Sequence, residues 1–111
     1  NILLVDEPKT YELIEKMFAT LAECYTTRNI NIGMDEAFMM GRGRYFNLHG
    51  NTDRAELFLK HLNRVAKIGE KYGFTMLMWS DMFIKLVTGK GKTVHPVMYV
   101  LCIPLILYFI V

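Results

Sequence analysis

Cysteine is scarce in this chain: 111 residues hold only Cys24 and Cys102, with no C-x-x-C spacing. Two distant thiols in unlike surroundings build neither a disulfide framework nor a metal site, so no metal is expected and both side chains are expected to be reduced and buried. A charge excess is also missing. Thirteen Lys and Arg stand against eleven Asp and Glu, for a formal net charge of +2. The basic residues are scattered without a dense block, which argues against a nucleic-acid partner. No secretory leader is visible: Asn1 to Val5 is apolar but short, and Asp6 and Glu7 follow in place of a cleavage site. A cytoplasmic location is the resulting expectation. The chain begins with Asn rather than Met and reads as a piece of something longer. Its length suits one small domain, whereas a closed eightfold α/β barrel needs roughly 250 residues.

What is present is concentrated in Ile30-Asn31-Ile32-Gly33-Met34-Asp35-Glu36, which reads as a short strand, expected to be buried, that ends in two adjacent carboxylates. Alternation along a strand puts Asn31, Gly33 and Asp35 on one face and Ile30, Ile32 and Met34 on the other. Asp35 and Glu36 can reach one substrate only if the strand stops there and the backbone turns. A carboxylate pair at the carboxyl end of a parallel strand is where α/β barrels place their chemistry. The plainer alternative is a pair that caps the following segment.

Around that strand, the pattern is strand–helix–strand–helix–strand. Ile2 to Val5 is compatible with the end of a buried strand, and Asp6-Glu7-Pro8 with a helix start. Tyr11, Ile14, Met17 (with Phe18), Leu21 and Tyr25 follow at helical spacing, predicting an amphipathic helix of about four turns. Thr26 to Asn29 breaks it. A loop is expected from Ala37 to Thr52, punctuated by Gly41, Gly43 and Gly50. Its Arg42, Arg44, Tyr45 and His49 are candidate substrate contacts, with a solvated rim as the alternative. Thr52 or Asp53 caps a second helix that presents Leu59, Leu62, Val65 and Ala66 (or Ile68) to the core, and Gly73 ends it. Thr75 to Asp81 is the next strand, with Thr75, Leu77, Trp79 and Asp81 on one face. Short connections and strands apolar on both faces argue for βαβ units and a parallel, helix-covered sheet.

Beyond Leu86 the character changes. Residues 87–93 read as a basic flexible linker, and Val94 to Val111 contains no Asp, Glu, Lys or Arg. That hydrophobic tail is too long for a barrel strand and marginal for a membrane span, which needs ~20 residues. Pro104 inside it is better tolerated in a membrane helix, and Lys85, Lys90 and Lys92 favour a cytoplasmic amino-terminal side. A membrane segment through residues 94–111, core sequence of a larger domain, and out-of-frame translation are three open readings.

Four motifs carry a resemblance: Lys9-Thr10-Tyr11-Glu12-Leu13-Ile14, Ile30-Asn31-Ile32-Gly33-Met34-Asp35-Glu36-Ala37, Lys60-His61-Leu62-Asn63 and Met78-Trp79-Ser80-Asp81-Met82-Phe83. Through them residues 1–86 resemble the β-N-acetylhexosaminidases of glycoside hydrolase family 20, and within it the bacterial subgroup whose fourth strand reads I-x-I-G-M-D-E. The resemblance implies an α/β fold, a fragment of a (β/α)8 TIM barrel around its third to fifth strands. It implies hydrolysis of terminal β-linked N-acetylhexosamines with a carbohydrate as the partner and no metal or organic cofactor. It also implies substrate-assisted retention, an exception to the usual two-carboxylate scheme. The substrate's 2-acetamido oxygen attacks the anomeric carbon; Glu36 is the general acid, then the base, and Asp35 holds the acetamido N–H. By the same resemblance Trp79 walls the pocket, and Asp81 is a weaker substrate-binding candidate beside the loop residue His49. His61 and Asn63 read as structural. Asn31 and Met34 replace the commoner His and Gly of the family pattern, changes that the subgroup accommodates. The Arg of an early strand and the Tyr, Asp, Trp and Glu of late strands with which the family binds sugar lie in regions that this chain does not contain. Two rivals stand beside this reading. One is a classical retaining glycosidase with Glu36 as acid/base, and the other is a non-catalytic, membrane-anchored remnant.

Overall fold

Pro8 starts the first helix, α1 (Pro8–Cys24), where its fixed φ and missing N–H cost nothing. A computed structural model describes residues 2–79 and 82, and the backbone of 100–103. The cap of α1 differs from expectation. Glu7 occupies the cap position without a side-chain bond to the helix, and the Thr10 hydroxyl instead donates to the Leu4 carbonyl (2.9 Å). Asp6 is turned the other way, with φ of 67°, and its carboxylate meets Lys60 (2.6 Å) and Arg64 (3.3 Å) of the later helix. Thr10, Ile14 and Phe18 form the buried stripe of α1. Met17 and Tyr25, expected on the apolar side, are more than half exposed, because one i, i+4, i+8 row suffices to meet the opposing helix. Cys24, expected to be buried, is exposed at the last turn.

Ile2 to Val5 is not a strand. Only Val5 enters the core, and among the described residues no strand pairs with this segment. Strand β1 (Asn29–Asn31) follows α1 after a short turn; expected to be buried, it carries a half-buried Ile30 between exposed Asn29 and Asn31, because β2 is its one partner among the described strands. The expected loop after it contains a short helix, α2 (Arg44–His49), bracketed by Gly43 and Gly50, both with positive φ. Helix α3 (Arg54–Lys71) is capped by Asp53, whose carboxylate accepts from the N–H groups of Ala55 (2.8 Å) and Glu56 (3.3 Å). It ends in a Schellman arrangement. Gly73 N–H reaches the Glu70 carbonyl and Phe74 N–H the Gly69 carbonyl, with Gly73 at φ of 72°.

Strand β2 (Thr75–Trp79) lies parallel to β1, with Asn29 opposite Thr75 and Asn31 opposite Leu77. A third parallel strand, β3 (Val100–Ile103), pairs with β2 from Met76 to Trp79, giving the order β1-β2-β3. It lies inside the hydrophobic tail. Residues 87–93 and the remainder of the tail lie outside the described residues, among which no helix is long and apolar enough to cross a membrane. Met76 and Met78 are fully buried on the side of the sheet that meets α3. Helix and strand come so close that a Cβ at Gly69 would collide with Met76 Sδ. Phe58, Leu62, Val65 and Ala66 complete that core layer, and Phe18 joins it through a tilted contact with Phe74 (ring centroids 5.5 Å apart). The other face of β2 carries Thr75, Leu77 and Trp79, half-buried or exposed.

Candidate active site

Hydrogen bonding to β2 outlasts β1 by two residues. Ile32 N–H donates to the Leu77 carbonyl (2.9 Å), and Trp79 N–H donates to the Gly33 carbonyl (3.1 Å). There the extended chain stops. Gly33 (φ 73°), Met34 (φ 69°) and Glu36 (φ 46°) are all left-handed, so the alternation of faces expected through Asp35 ends at Gly33. A left-handed residue other than glycine costs roughly 1–2 kcal/mol, and two of them within three positions mark a strained turn. Asn31 opens it by accepting the Gly33 N–H on its own side-chain oxygen (2.8 Å). The turn presents Asp35 and Glu36, both exposed, beyond the carboxyl end of β1.

The loop is fastened on its far side as well. Phe38 N–H returns to the Glu36 carbonyl (2.7 Å), Met40 N–H to the Ala37 carbonyl (3.2 Å), and Met40 itself is buried. Arg54, at the start of α3, donates from Nη2 to the Phe38 carbonyl (2.8 Å), two residues beyond Glu36. The sequence pattern gave neither Arg54 nor Asn31 a bonding role in this loop. The signal for Asn31 was present, since Asn two positions before a turning glycine forms an Asx-turn. Nothing in the pattern pointed to Arg54, whose contact spans sixteen residues.

Trp79 is half-buried at the carboxyl end of β2, and its N–H is bonded to the residue two before Asp35. The carboxylate pair and this tryptophan therefore emerge from the same end of adjacent parallel strands. His49 sits at the last turn of α2, exposed, with its ring packed on Tyr45 (centroids 4.5 Å apart). Asp81 lies outside the described residues. Among those residues no group of three His, Cys, Asp or Glu side chains is placed to hold a metal ion.

Solved structures share this fold. The family 20 β-N-acetylhexosaminidase from Streptomyces coelicolor A3(2) superimposes with a TM-score of 0.67 at 23% identity, over 94% of this chain and 17% of its own. The Streptomyces plicatus N-acetyl-β-hexosaminidase in complex with Thio-NAglucal gives 0.60 at 24% identity, over 92% and 16%. A mutant of the latter in complex with its product GlcNAc gives 0.64. The chain thus spans about a sixth of the length of these TIM-barrel enzymes, and at this identity the likeness is one of fold. No family model and no curated protein matches the chain.

Proposed function

We propose that the chain is a central piece of a β-N-acetylhexosaminidase of the family 20 type, cutting terminal β-linked N-acetylhexosamines from a carbohydrate substrate. The observation that carries this reading is the Asp35–Glu36 pair on a strained turn at the carboxyl end of β1, beside Trp79 at the end of β2. In this reading β1 and β2 are the fourth and fifth barrel strands, and β3 takes the next place in the sheet.

The chemistry of this reading is the one that the family resemblance implies, and the placement is compatible with it. Glu36 protonates the leaving oxygen and later deprotonates the attacking water. Asp35 accepts the acetamido N–H and opposes the positive charge that grows on the ring formed by the substrate's own carbonyl, a fixed charge aimed at a developing one. The two roles need adjacent carboxylates that point at different atoms of one sugar. A continuous strand would send the two side chains to opposite faces, and left-handed backbone at Met34 and Glu36 breaks that alternation so that both can address one sugar. Trp79 offers a flat apolar surface to the sugar. Asp81 and His49 are secondary contacts in the same proposal.

A thiazoline mimic of the cyclised intermediate tests the assignment. In the polypeptide that closes the barrel around this chain, it should inhibit competitively, and Asp35→Asn should weaken both its binding and kcat. Hydrolysis indifferent to the thiazoline would instead favour a glycosidase with a separate carboxylate nucleophile.

A further inference from the structure

A basin of about 470 Å³ opens between the amino-terminal segment and the far end of the loop that carries Glu36. Its floor is apolar: Val5, Met40, Tyr45 and Leu57 are each at least nine-tenths buried. Its rim is not. Lys9, Arg42 and Arg44 line it with only Glu7 to offset them. Among the described residues these three cations take part in no ion pair. Asp6, beside Val5 and Glu7 in the chain, is engaged by Lys60 and Arg64 on α3 and does not line the basin.

The backbone holds the two arginines in place. Arg42 stands between Gly41 (φ 75°) and Gly43 (φ 59°), and its N–H donates to the Met39 carbonyl (3.1 Å). A Cβ at Gly41 would touch Leu57 Cδ2 at 3.6 Å, so the turn is seated on α3. Arg44 opens α2 directly after Gly43. Two guanidinium groups and an ammonium above an apolar floor form a concave cationic surface, where low-dielectric walls focus the field. Guanidinium forks match the paired oxygens of phosphate and sulfate, and such charge-assisted bonds are about twice as strong as neutral ones.

We propose that this basin binds an oxyanion, the phosphate or sulfate ester of a compact sugar. The apolar floor takes the carbon skeleton and the arginines take the ester oxygens. The choice of a sugar body rests on the hexosaminidase reading; the oxyanion site itself does not.

The test is titration calorimetry of the 111-residue chain at constant ionic strength, with inorganic phosphate and with N-acetylglucosamine 6-phosphate as probes. Both should bind saturably, the sugar ester more tightly. Arg42→Gln with Arg44→Gln should weaken both by about tenfold or more, the scale of one lost charge-assisted bond. Lys67→Gln, which lies on α3 but does not line the basin, should change neither, and unchanged urea midpoints would show that the variants fold. Absence of saturable binding, equal losses in the Lys67 control, or equal affinity for the two probes would overturn the proposal. No turnover is read, so failure here and failure of the catalytic assignment are separate results.

Discussion

His61 lies half-buried in α3 with Nδ1 3.1 Å from the Tyr11 hydroxyl of α1, and the Asp6 N–H reaches that same hydroxyl at 3.5 Å. Burial, and then the nearby Arg64, hold its pKa below the ordinary 6.5. A depressed value in the folded state means that the unfolded chain binds the proton more readily. Stability is therefore fully present above pH 6.5 and is lost as pH falls through that value, until the folded-state ring also protonates. The urea midpoint should fall between about pH 7 and pH 5, and His61→Gln should flatten that fall. An identical slope in the variant would place the titration elsewhere. Glu15 acts in a different window. Its hydrogen bond and charge contact with Lys71 lower its pKa from 4.5, so its contribution is lost only at more acid pH.

At the level of elements, α3 is the frame on which the site loop is hung. Its amino end bears Arg54, which holds the Phe38 carbonyl, and its carboxyl end turns the chain directly into β2. Removing the amino cap with Asp53→Ala should cost about 1 kcal/mol, and Gly73→Ala at the left-handed position roughly 1–2 kcal/mol. Chemical denaturation reads both; a loss near zero in either would mean that the end frays without consequence. Both ends of α3 were legible in the sequence, because Asp at a cap and Gly past the last turn act through local backbone chemistry. So was β2, whose methionines alternate with less buried neighbours. The start of α1 was less so. Glu7 and Asp6 fit a capping pattern equally well by type, and a contact with Lys60, fifty-four residues away, decided where Asp6 turned. Helix α2 escaped notice because six residues between glycines carry too little periodicity to register. The left-handed turn at Met34 to Glu36 escaped for a related reason: no non-glycine residue announces a positive φ.

Among the described residues three parallel strands lie side by side, with α3 on one face of β2 and Leu77 and Trp79 on the other. In a closed barrel that second face looks inward. Asp35 and Glu36 are exposed, and the described strands form an open sheet rather than an enclosed, water-excluded pocket. Electrostatic preorganisation weakens sharply in water, so the isolated chain should turn over a chromogenic N-acetylglucosaminide little faster than buffer. Robust hydrolysis by the purified 111-residue chain would contradict this. That the carboxylate pair and Trp79 are neighbours was legible, because parallel pairing puts the carboxyl ends of adjacent strands together. The parts of a pocket contributed by other strands have no residues here to read.

The central claim is that Glu36 delivers the proton to the leaving group. The most direct measurement is kcat/KM for Glu36→Gln in the polypeptide that closes the barrel, using a disaccharide and a dinitrophenyl N-acetylglucosaminide. Loss of the acid should cost the disaccharide about 10²–10⁴-fold and the dinitrophenyl glycoside far less, because its leaving group needs no proton. Equal losses on both substrates, or no loss on the disaccharide, would contradict the assignment.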